Sequence, residues 1–597
     1  MGDSNVTGSS RSETAPRVMT EPSVPSISAD MRERPSATEQ TRGQFSALSH
    51  APLAVVMAVF LLSTVVIPTL TNVPIGDDWV YTRSVEMLVH EGRVEILDLS
   101  VVTLVFQVVW GAWFSVVDVS FVSTRVSTIT LVALSALAMY AMCRDIGISR
   151  PNAALGTALY LFNPLTFGLA FTFMTDPHFT ALLVIGMWLY VRGLRPEQVR
   201  LRIILLASVA ASCAFLVRQQ GALIPVAVGL YLLLSQRWRP TLEGIRLSAS
   251  VAGIPMLTIV AYYAWLLIVH GAPEQQSAFL DQMAEAGVHE SRILIGRMTY
   301  IEVAYIGLFV LPLTLATIPA LRSLHPPLPR GGRIFLGLWV AIVVAGGLVF
   351  AGRDLFMPYI GQYVGLRGIG PTDLHGGRPQ FVDRNERYVL TVLALLSTVL
   401  FALFLATRLF ARTAPDRSSA SLVTMVGVWQ VLGVLPPSFH FRNWIISVDR
   451  YLLPLVPIVI ALLLWSLRDV SLMKPLAWIM VVLYASFSIA GTRDMLVFQD
   501  ATWNLANQAI EDGVPLTALD AGASWDGYYL YEYSIANEIP QQTPGGPWWT
   551  HLFGPATTSD YVVSTAPLPG YEVVREARYS SWLDRESHPM YLLCRSG

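Results

Sequence analysis

Apolar residues in this chain come in long uninterrupted runs rather than in the alternating or amphipathic patterns of a water-soluble core. The runs fall at 51–70, 122–143, 153–171, 179–191, 203–217, 221–235, 248–269, 303–321, 334–351, 389–407, 421–437, 451–467 and 475–490. Most approach the roughly 20 residues a helix needs to cross the hydrocarbon of a bilayer, so about 13 transmembrane helices are predicted. The stretch 101–118 is also apolar but carries Trp110 and Trp113, residues favoured at the membrane surface. It reads as an interfacial or re-entrant helix. Upstream, Tyr81, Val85, Leu88 and Val89 form one apolar stripe of a short helix lying on the membrane. After Arg493 the pattern turns mixed. A helical stretch, an aromatic segment from Trp525 to Tyr533 and strand-like runs at 560–565, 571–578 and 589–594 predict a small α/β domain. In that aromatic segment burial is the default and sugar stacking the alternative.

Composition agrees with this reading. Of 597 residues, 53% are hydrophobic and 14% charged, and the mean hydropathy is +0.51, which excludes a soluble fold. Residues 1–48 differ, being polar, rich in Ser, Thr, Pro, Glu and Arg, and without apolar periodicity. They predict a disordered tail, and the first apolar run an uncleaved anchor. The predicted organisation is therefore a tail at 1–48, a transmembrane domain at 49–492 with its first outer loop at 71–121, and a soluble domain at 493–597. Cys143, Cys213 and Cys594 are far apart and show no metal spacing. The net charge of -2 says nothing about partners, and no nucleic acid is expected. Nearly all basic residues are Arg, compatible with a bacterial source.

Arginine also sets the topology. The loops at 144–150, 192–202, 237–246, 322–333, 408–417 and 468–474 hold 17 Arg or Lys in 57 residues. The opposite loops at 171–178, 216–221, 270–302, 353–388 and 440–450 hold 10 in 94. The positive-inside rule puts the first set, and the tail, in the cytoplasm. Loop one and the C-terminal domain then lie outside.

Four polar groups stand out on that outer side. Asp77 and Asp78, in VPIGDDWVYTRS, are adjacent carboxylates suited to taking a proton or binding a cation, or to an Asx turn and helix cap. Asp176 and His178, in FTFMTDPHF, are candidates for a metal pair or sugar contact, while Thr-Asp-Pro is equally a helix start. Arg218 with Gln219, and Arg450 with Tyr451 in DRYLLP, lie where charge is costly unless paired or functional. Either arginine suits a lipid phosphate; snorkelling or an Asp449–Arg450 pair are the structural alternatives. The Gly-rich loop 365–388, with Arg378, Arg384 and Arg387, lacks phosphate-loop spacing and reads as a mobile cover over substrate.

This layout, together with GDDWVY, TDPHF, RQQG and DRYLLP, resembles the GT-C membrane glycosyltransferases. It is most similar to their bacterial protein-mannosyltransferase-like branch, which includes aminoarabinose transferases. The resemblance covers roughly residues 50–500 in layout. It implies an integral enzyme of the bacterial inner or plasma membrane, working on the extracytoplasmic face. Such an enzyme moves a sugar with inversion from a polyprenyl-phosphate donor to a hydroxyl of a glycan, lipid or protein. It implies Asp77 as base, with Asp78 where the family usually has Glu. Arg450 or Arg218 would stabilise the leaving lipid phosphate, and Asp176, His178, Gln219, Arg384, Arg387 and Tyr451 complete the candidate substrate site. No cofactor is firmly implied; a divalent cation at Asp176 stays open. The alternative is a transporter or flippase of lipid-linked precursors, which predicts charges at mid-membrane and paired broken helices. Neither an internal repeat nor such a charge pattern is evident.

Overall fold

The computed structural model describes residues 51–277, 281, 288–323, 328–371, 374–411, 417–434, 448–540 and 553–596. The predicted tail at 1–48 lies outside these. Among the described residues each apolar run named above lies largely on helix, but the runs are not all straight spans. Among the described residues seven helices are both long and apolar enough to cross a membrane: Phe121–Asp145, Leu242–His270, Arg292–Leu315, Arg330–Ala351, Arg384–Leu409, Asp449–Ser466 and Lys474–Glu511. An eighth arises if Arg150–Leu161 and Pro164–Ala170, bent by 61° about Asn163 and Pro164, count as one. The difference from the predicted 13 has a physical origin. The runs at 51–70, 203–217 and 221–235 form apolar helices shorter than a bilayer-crossing one, the run at 179–191 belongs to a helix whose first turn holds Asp176, Pro177 and His178, and the run at 421–437 is described only as far as Val434, the end of an 18-residue helix. The protein is a polytopic α-helical membrane protein with a small C-terminal sheet. Several helices keep their apolar surface outward: only 11% of the most apolar stretch of Arg330–Ala351 is buried within the protein, as expected where lipid is the solvent.

The elements around the outer loops position everything that follows. Helix α1 (Ala51–Val66) leads into the loop that α2 (Asp78–Glu91) closes, and α3 (Val105–Phe114) follows. At ten residues α3 is too short to span. Its Gly111 lets it approach closely: a Cβ there would fall 2.6 Å from Cζ of Phe173. Helix α4 (Phe121–Asp145) is capped by Ser120, which accepts from the Ser123 amide. The broken pair is α5 (Arg150–Leu161) and α6 (Pro164–Ala170); then come α7 (Thr175–Gly193) and α8 (Leu201–Phe215). The stretch from Leu104 to Phe106 is sewn to the end of α8 by amides of Leu104 and Phe106 donating to Val217 and Leu216 carbonyls at 3.2 and 3.0 Å.

The chain continues through α9 (Leu223–Leu234), α10 (Leu242–Trp265), α11 (Val288–Leu315) and α12 (Arg330–Ala351) to the two-residue strands β1 (Val364–Gly365) and β2 (Gly368–Ile369), an antiparallel hairpin. Ile369 of β2 is fully buried, wedged between α6 and the long helix Lys474–Glu511: a Cβ on Gly168 or Gly491 would come within 3 Å of it. After α13 (Arg384–Leu409), α14 (Arg417–Val434) and α15 (Leu455–Ser466), helix α16 (Lys474–Glu511) runs unbroken for 38 residues. The boundary expected at residue 493 falls inside it.

The C-terminal part contains β3 (Leu519–Asp520), α17 (Ala523–Ala536), β4 (Tyr561–Ser564), β5 (Tyr571–Ser580) and β6 (Ser587–Arg595), with sheet order β3-β4-β6-β5. Strands β3 and β4 run parallel and the other pairs antiparallel. Asp494 ties the β5–β6 turn to α16 by accepting from the Trp582 and Leu583 amides. The aromatic segment is helix. It buries Trp525 against Trp503 of α16 at 4.9 Å between ring centroids, the default anticipated for it. Through Gly527 the same helix seats on Trp79 of α2, and Ser524 donates to the Gly76 carbonyl.

Candidate active site

Three buried polar groups build the scaffold. Arg125, in the second turn of α4 and 1% exposed, donates to four carbonyls: Phe171 at 3.0 Å, Thr69 and Thr71 at 2.7 Å, and Val73 at 2.8 Å. One guanidinium thus fixes the loop before α2 to the loop after α6, using its planar fork of donors. Asp78 repeats the join, accepting from the Phe173 amide at 2.8 Å and the Ile75 amide at 3.2 Å. Asp449, completely buried, accepts from three consecutive amides, Gln362, Tyr363 and Val364, at 3.2, 3.1 and 2.6 Å, and so holds the segment leading into β1. Carboxylates bound by several amides are strong, directional anchors.

The residues next in sequence to two of these anchors point elsewhere. Successive side chains at a helix start diverge by about 100°. While Asp78 turns to backbone, Asp77 presents Oδ2 to both terminal nitrogens of Arg450, each at 3.4 Å. Arg450 sits in the short 3-10 turn Asp449–Leu452 and also approaches Asp176 Oδ2 at 3.9 Å. Asp176, in the first turn of α7, is paired on its other oxygen with Arg218. Tyr451 lies under both cations, its ring centre 5.1 Å from Cζ of Arg218 and 5.5 Å from Cζ of Arg450. Asp77, Arg450, Asp176, Arg218 and Tyr451 thus form one continuous group, in which Asp176 is 1% exposed and the Asp77 side chain 32%. Of its four charged members, Asp77 alone opens appreciably to its surroundings. Two positive charges face two negative ones.

Of the remaining candidates, Gln219 donates to the Val101 carbonyl at 2.8 Å and braces the loop beside Arg218. His178 is fully buried, its Nδ1 3.0 Å from the Met174 carbonyl and its ring edge-on to Phe173. Arg384 pairs with Asp354 at 2.5 Å and Arg387 donates to the Phe356 carbonyl at 2.9 Å, so both secure the start of α13. Among the described residues no three His, Cys, Asp or Glu converge on a point that would hold a metal.

The structure adds Tyr363, which the sequence did not single out, and Tyr81, which the sequence marked only as part of an apolar stripe. Tyr363 is 1% exposed and its hydroxyl has no hydrogen-bond partner among the described residues. Burial pushes the phenols of both tyrosines well up, with Asp77 and Asp176 adding to it and Arg450 opposing it. Both are neutral donors facing the charged group. No periodicity or motif marks Tyr363, whereas an arginine five residues into an apolar run, as Arg125 is, carries a signal of its own.

Burial also raises the Asp78 carboxyl to about 7, against the opposing pull of Arg125 and the amides of Phe173 and Ile75. A carboxyl raised above its ordinary range gives stability that is complete at acid pH and is lost as pH rises through the raised value. Thermal unfolding in detergent is therefore expected to shift to lower temperature as pH rises from about 4 to about 7. Asp78→Asn should flatten that decline; an unaltered slope in the variant would assign the pH dependence to other groups.

The sequence profile of the dolichyl-phosphate-mannose-protein mannosyltransferase family matches residues 97–319. That stretch holds α3 to α11, with Arg125, Asp176 and Arg218, and leaves out Asp77 and Arg450. Similar solved structures include ArnT from Cupriavidus metallidurans bound to undecaprenyl phosphate, 15% identical with a TM-score of 0.39, covering 94% of this chain and 98% of that one. The Archaeoglobus fulgidus oligosaccharyltransferase tethered with an acceptor peptide is 13% identical with a TM-score of 0.42, covering 84% of this chain and 62% of its own. The arabinofuranosyltransferase AftD from Mycobacteria is 10% identical with a TM-score of 0.40, covering 91% of this chain and 40% of its own. Curated protein sequences give no significant match.

Proposed function

We propose that this protein is an inverting glycosyltransferase that moves a sugar from a polyprenyl-phosphate donor to a hydroxyl acceptor on the extracytoplasmic side of a bacterial membrane. The observation that carries the reading is the paired arrangement of Asp77 with Arg450 and Asp176 with Arg218. A base and a phosphate clamp sit side by side at one end of the helices, and the mannosyltransferase profile over 97–319 supports the same chemistry.

A lipid-linked phosphosugar keeps its tail in the hydrocarbon and its headgroup at the surface, so base and clamp must share one membrane face. Without donor, the two carboxylates neutralise the two guanidiniums. With donor, phosphate oxygens take up the arginine forks, which match them bidentately, and Asp77 is released toward the acceptor. The acceptor oxygen bonds to the anomeric carbon as its bond to the phosphate oxygen breaks; the leaving lipid phosphate keeps the electron pair, and the acceptor proton passes to Asp77. Arg450 and Arg218 stabilise the charge developing on the phosphate, and the neutral hydroxyls of Tyr81 and Tyr363 are placed to orient the sugar. Helices α2 and α3 lie at the membrane surface and keep water from competing with the acceptor.

Mass spectrometry of the envelope glycans and glycoproteins of a strain lacking this protein tests the reading. The expected result is the loss of one sugar type from one acceptor class, restored by the wild-type chain. An unchanged glycan profile, with lipid-linked precursors retained on the wrong side of the membrane, would point to transport instead.

A further inference from the structure

A second polar cavity lies apart from the paired carboxylates and arginines. It has a volume of about 330 Å³ and lies between the Gly-rich segment 376–380 and the edge of the C-terminal sheet, with Arg367, Arg378, Tyr579 and His588 among its lining residues. That size is at the lower end of the roughly 300–1,000 Å³ of small-molecule sites, enough for one or two sugar rings. Its walls are built rather than incidental. Tyr579 and His588 are partners across strands β5 and β6, with ring centres 5.5 Å apart. Phe498 of α16 packs on Tyr579 and carries the Arg378 guanidinium on its face at 5.5 Å. Arg378, 6% exposed, donates to the Gly370 carbonyl at 2.7 Å, and Arg367 donates to the Arg378 carbonyl. Gly376 and Gly377 both adopt left-handed backbone, at φ 83° and 67°, which brings this segment close against Thr565.

Two features point to a ligand. Tyr579 is 4% exposed, and its hydroxyl is buried with no hydrogen-bond partner among the described residues, which is costly unless something accepts from it. Arg367 has no carboxylate within ion-pair distance among the described residues. Among the described residues, the acid engaged by His588 is Asp584, at 2.7 Å. Two guanidiniums and a phenol converge on a cavity with aromatic walls, which is a donor set for an oxyanion attached to a sugar ring.

We propose that this cavity binds an oxyanion-bearing sugar, a uronate or a sugar phosphate, as a subsite for the acceptor glycan. That it serves the acceptor rests on the transferase reading above; that it binds such a sugar does not. The segment that lines it continues back through β2 and β1 to Tyr363, so one loop borders both sites.

The test is titration of the purified full-length protein in detergent with glucuronic acid, glucose 6-phosphate, glucose and inorganic phosphate, followed by tryptophan fluorescence or calorimetry. Saturable binding of an acidic sugar, weakened at least tenfold by Arg367→Gln and by Tyr579→Phe at unchanged melting temperature, is the expected result. Preference for glucuronic acid or for glucose 6-phosphate separates the two oxyanions. Glucose binding as tightly as either, or inorganic phosphate binding as tightly as the sugar phosphate, overturns the proposal, as does acidic-sugar binding indifferent to both variants or absent from the wild type. Asp77→Asn should bind the acidic sugar normally, so loss of transfer and loss of this subsite read out separately. Once transfer is measured, Arg367→Gln should raise KM for an acidic acceptor and leave kcat within about twofold.

Discussion

Asp77→Asn should lower sugar transfer by about 10²–10⁴-fold, the range lost when a positioned general base is removed, without lowering the yield of inserted protein. The substitution keeps the volume of the side chain and a carbonyl oxygen that Arg450 can still approach. What it removes is the capacity to accept the acceptor proton. Because Asp77 is the most open charged member of the group, with its side chain 32% exposed, and its side chain takes no part in the backbone anchoring done by Asp78, its loss should leave the fold intact. Initial rates with a polyprenyl-phosphate sugar donor, compared at matched amounts of protein with the same melting temperature, give the answer. Activity within threefold of wild type would remove Asp77 from the proton-transfer step. Arg450→Lys makes a useful companion: it keeps the charge but not the planar fork, so a reduced kcat there with Asp77 intact would separate clamp from base.

The largest structural effect is expected at Arg125. Replacing it with Met keeps the length and apolar character of the stem but leaves the carbonyls of Thr69, Thr71, Val73 and Phe171 without their shared donor. It also strips the positive charge that faces Asp78. Removing one partner from a buried charged network costs about 3–5 kcal/mol, since the groups left behind stay desolvated. The expected outcome is a marked fall in the yield of folded protein and in its melting temperature. Arg125→Lys, able to satisfy only part of the set, should be intermediate. A Met variant as stable as wild type would mean that the two outer loops are joined by other contacts.

These two residues also show where the sequence was informative and where it was not. The carboxylate pair after the first apolar run, the TDPHF start of α7 and the RQQG and DRYLLP arginines were visible because charge beside hydrocarbon is costly and therefore conspicuous. Their pairing was not, because it joins residues up to 373 positions apart through helix packing that no local pattern encodes. The sequence left Asp449–Arg450 open as an ion pair, whereas Asp449 accepts from the amides before β1 and Arg450 reaches Asp77 and Asp176. Arg384 and Arg387, read as part of a substrate cover, are held at the start of α13 by Asp354 and the Phe356 carbonyl. Strands β4, β5 and β6 of the four in the C-terminal sheet were legible from alternation, within a few residues of their ends. The helix from Trp525 to Tyr533 was not, since a run of aromatics fits strand or helix equally and only its seat on Trp79 decides between them. Apolar length alone overstated the number of straight spans, because a run such as 153–171 is apolar throughout yet bends at Asn163.

In the proposed function the paired arginines and carboxylates break a sugar–phosphate bond rather than carry a lipid across the membrane. Reconstituted in proteoliposomes with a polyprenyl-phosphate sugar and an acceptor extract, the wild-type protein should release free polyprenyl phosphate in step with glycosylated acceptor, and Asp77→Asn should release neither. Donor that moves between leaflets with its sugar still attached, equally in wild type and variant, would contradict it.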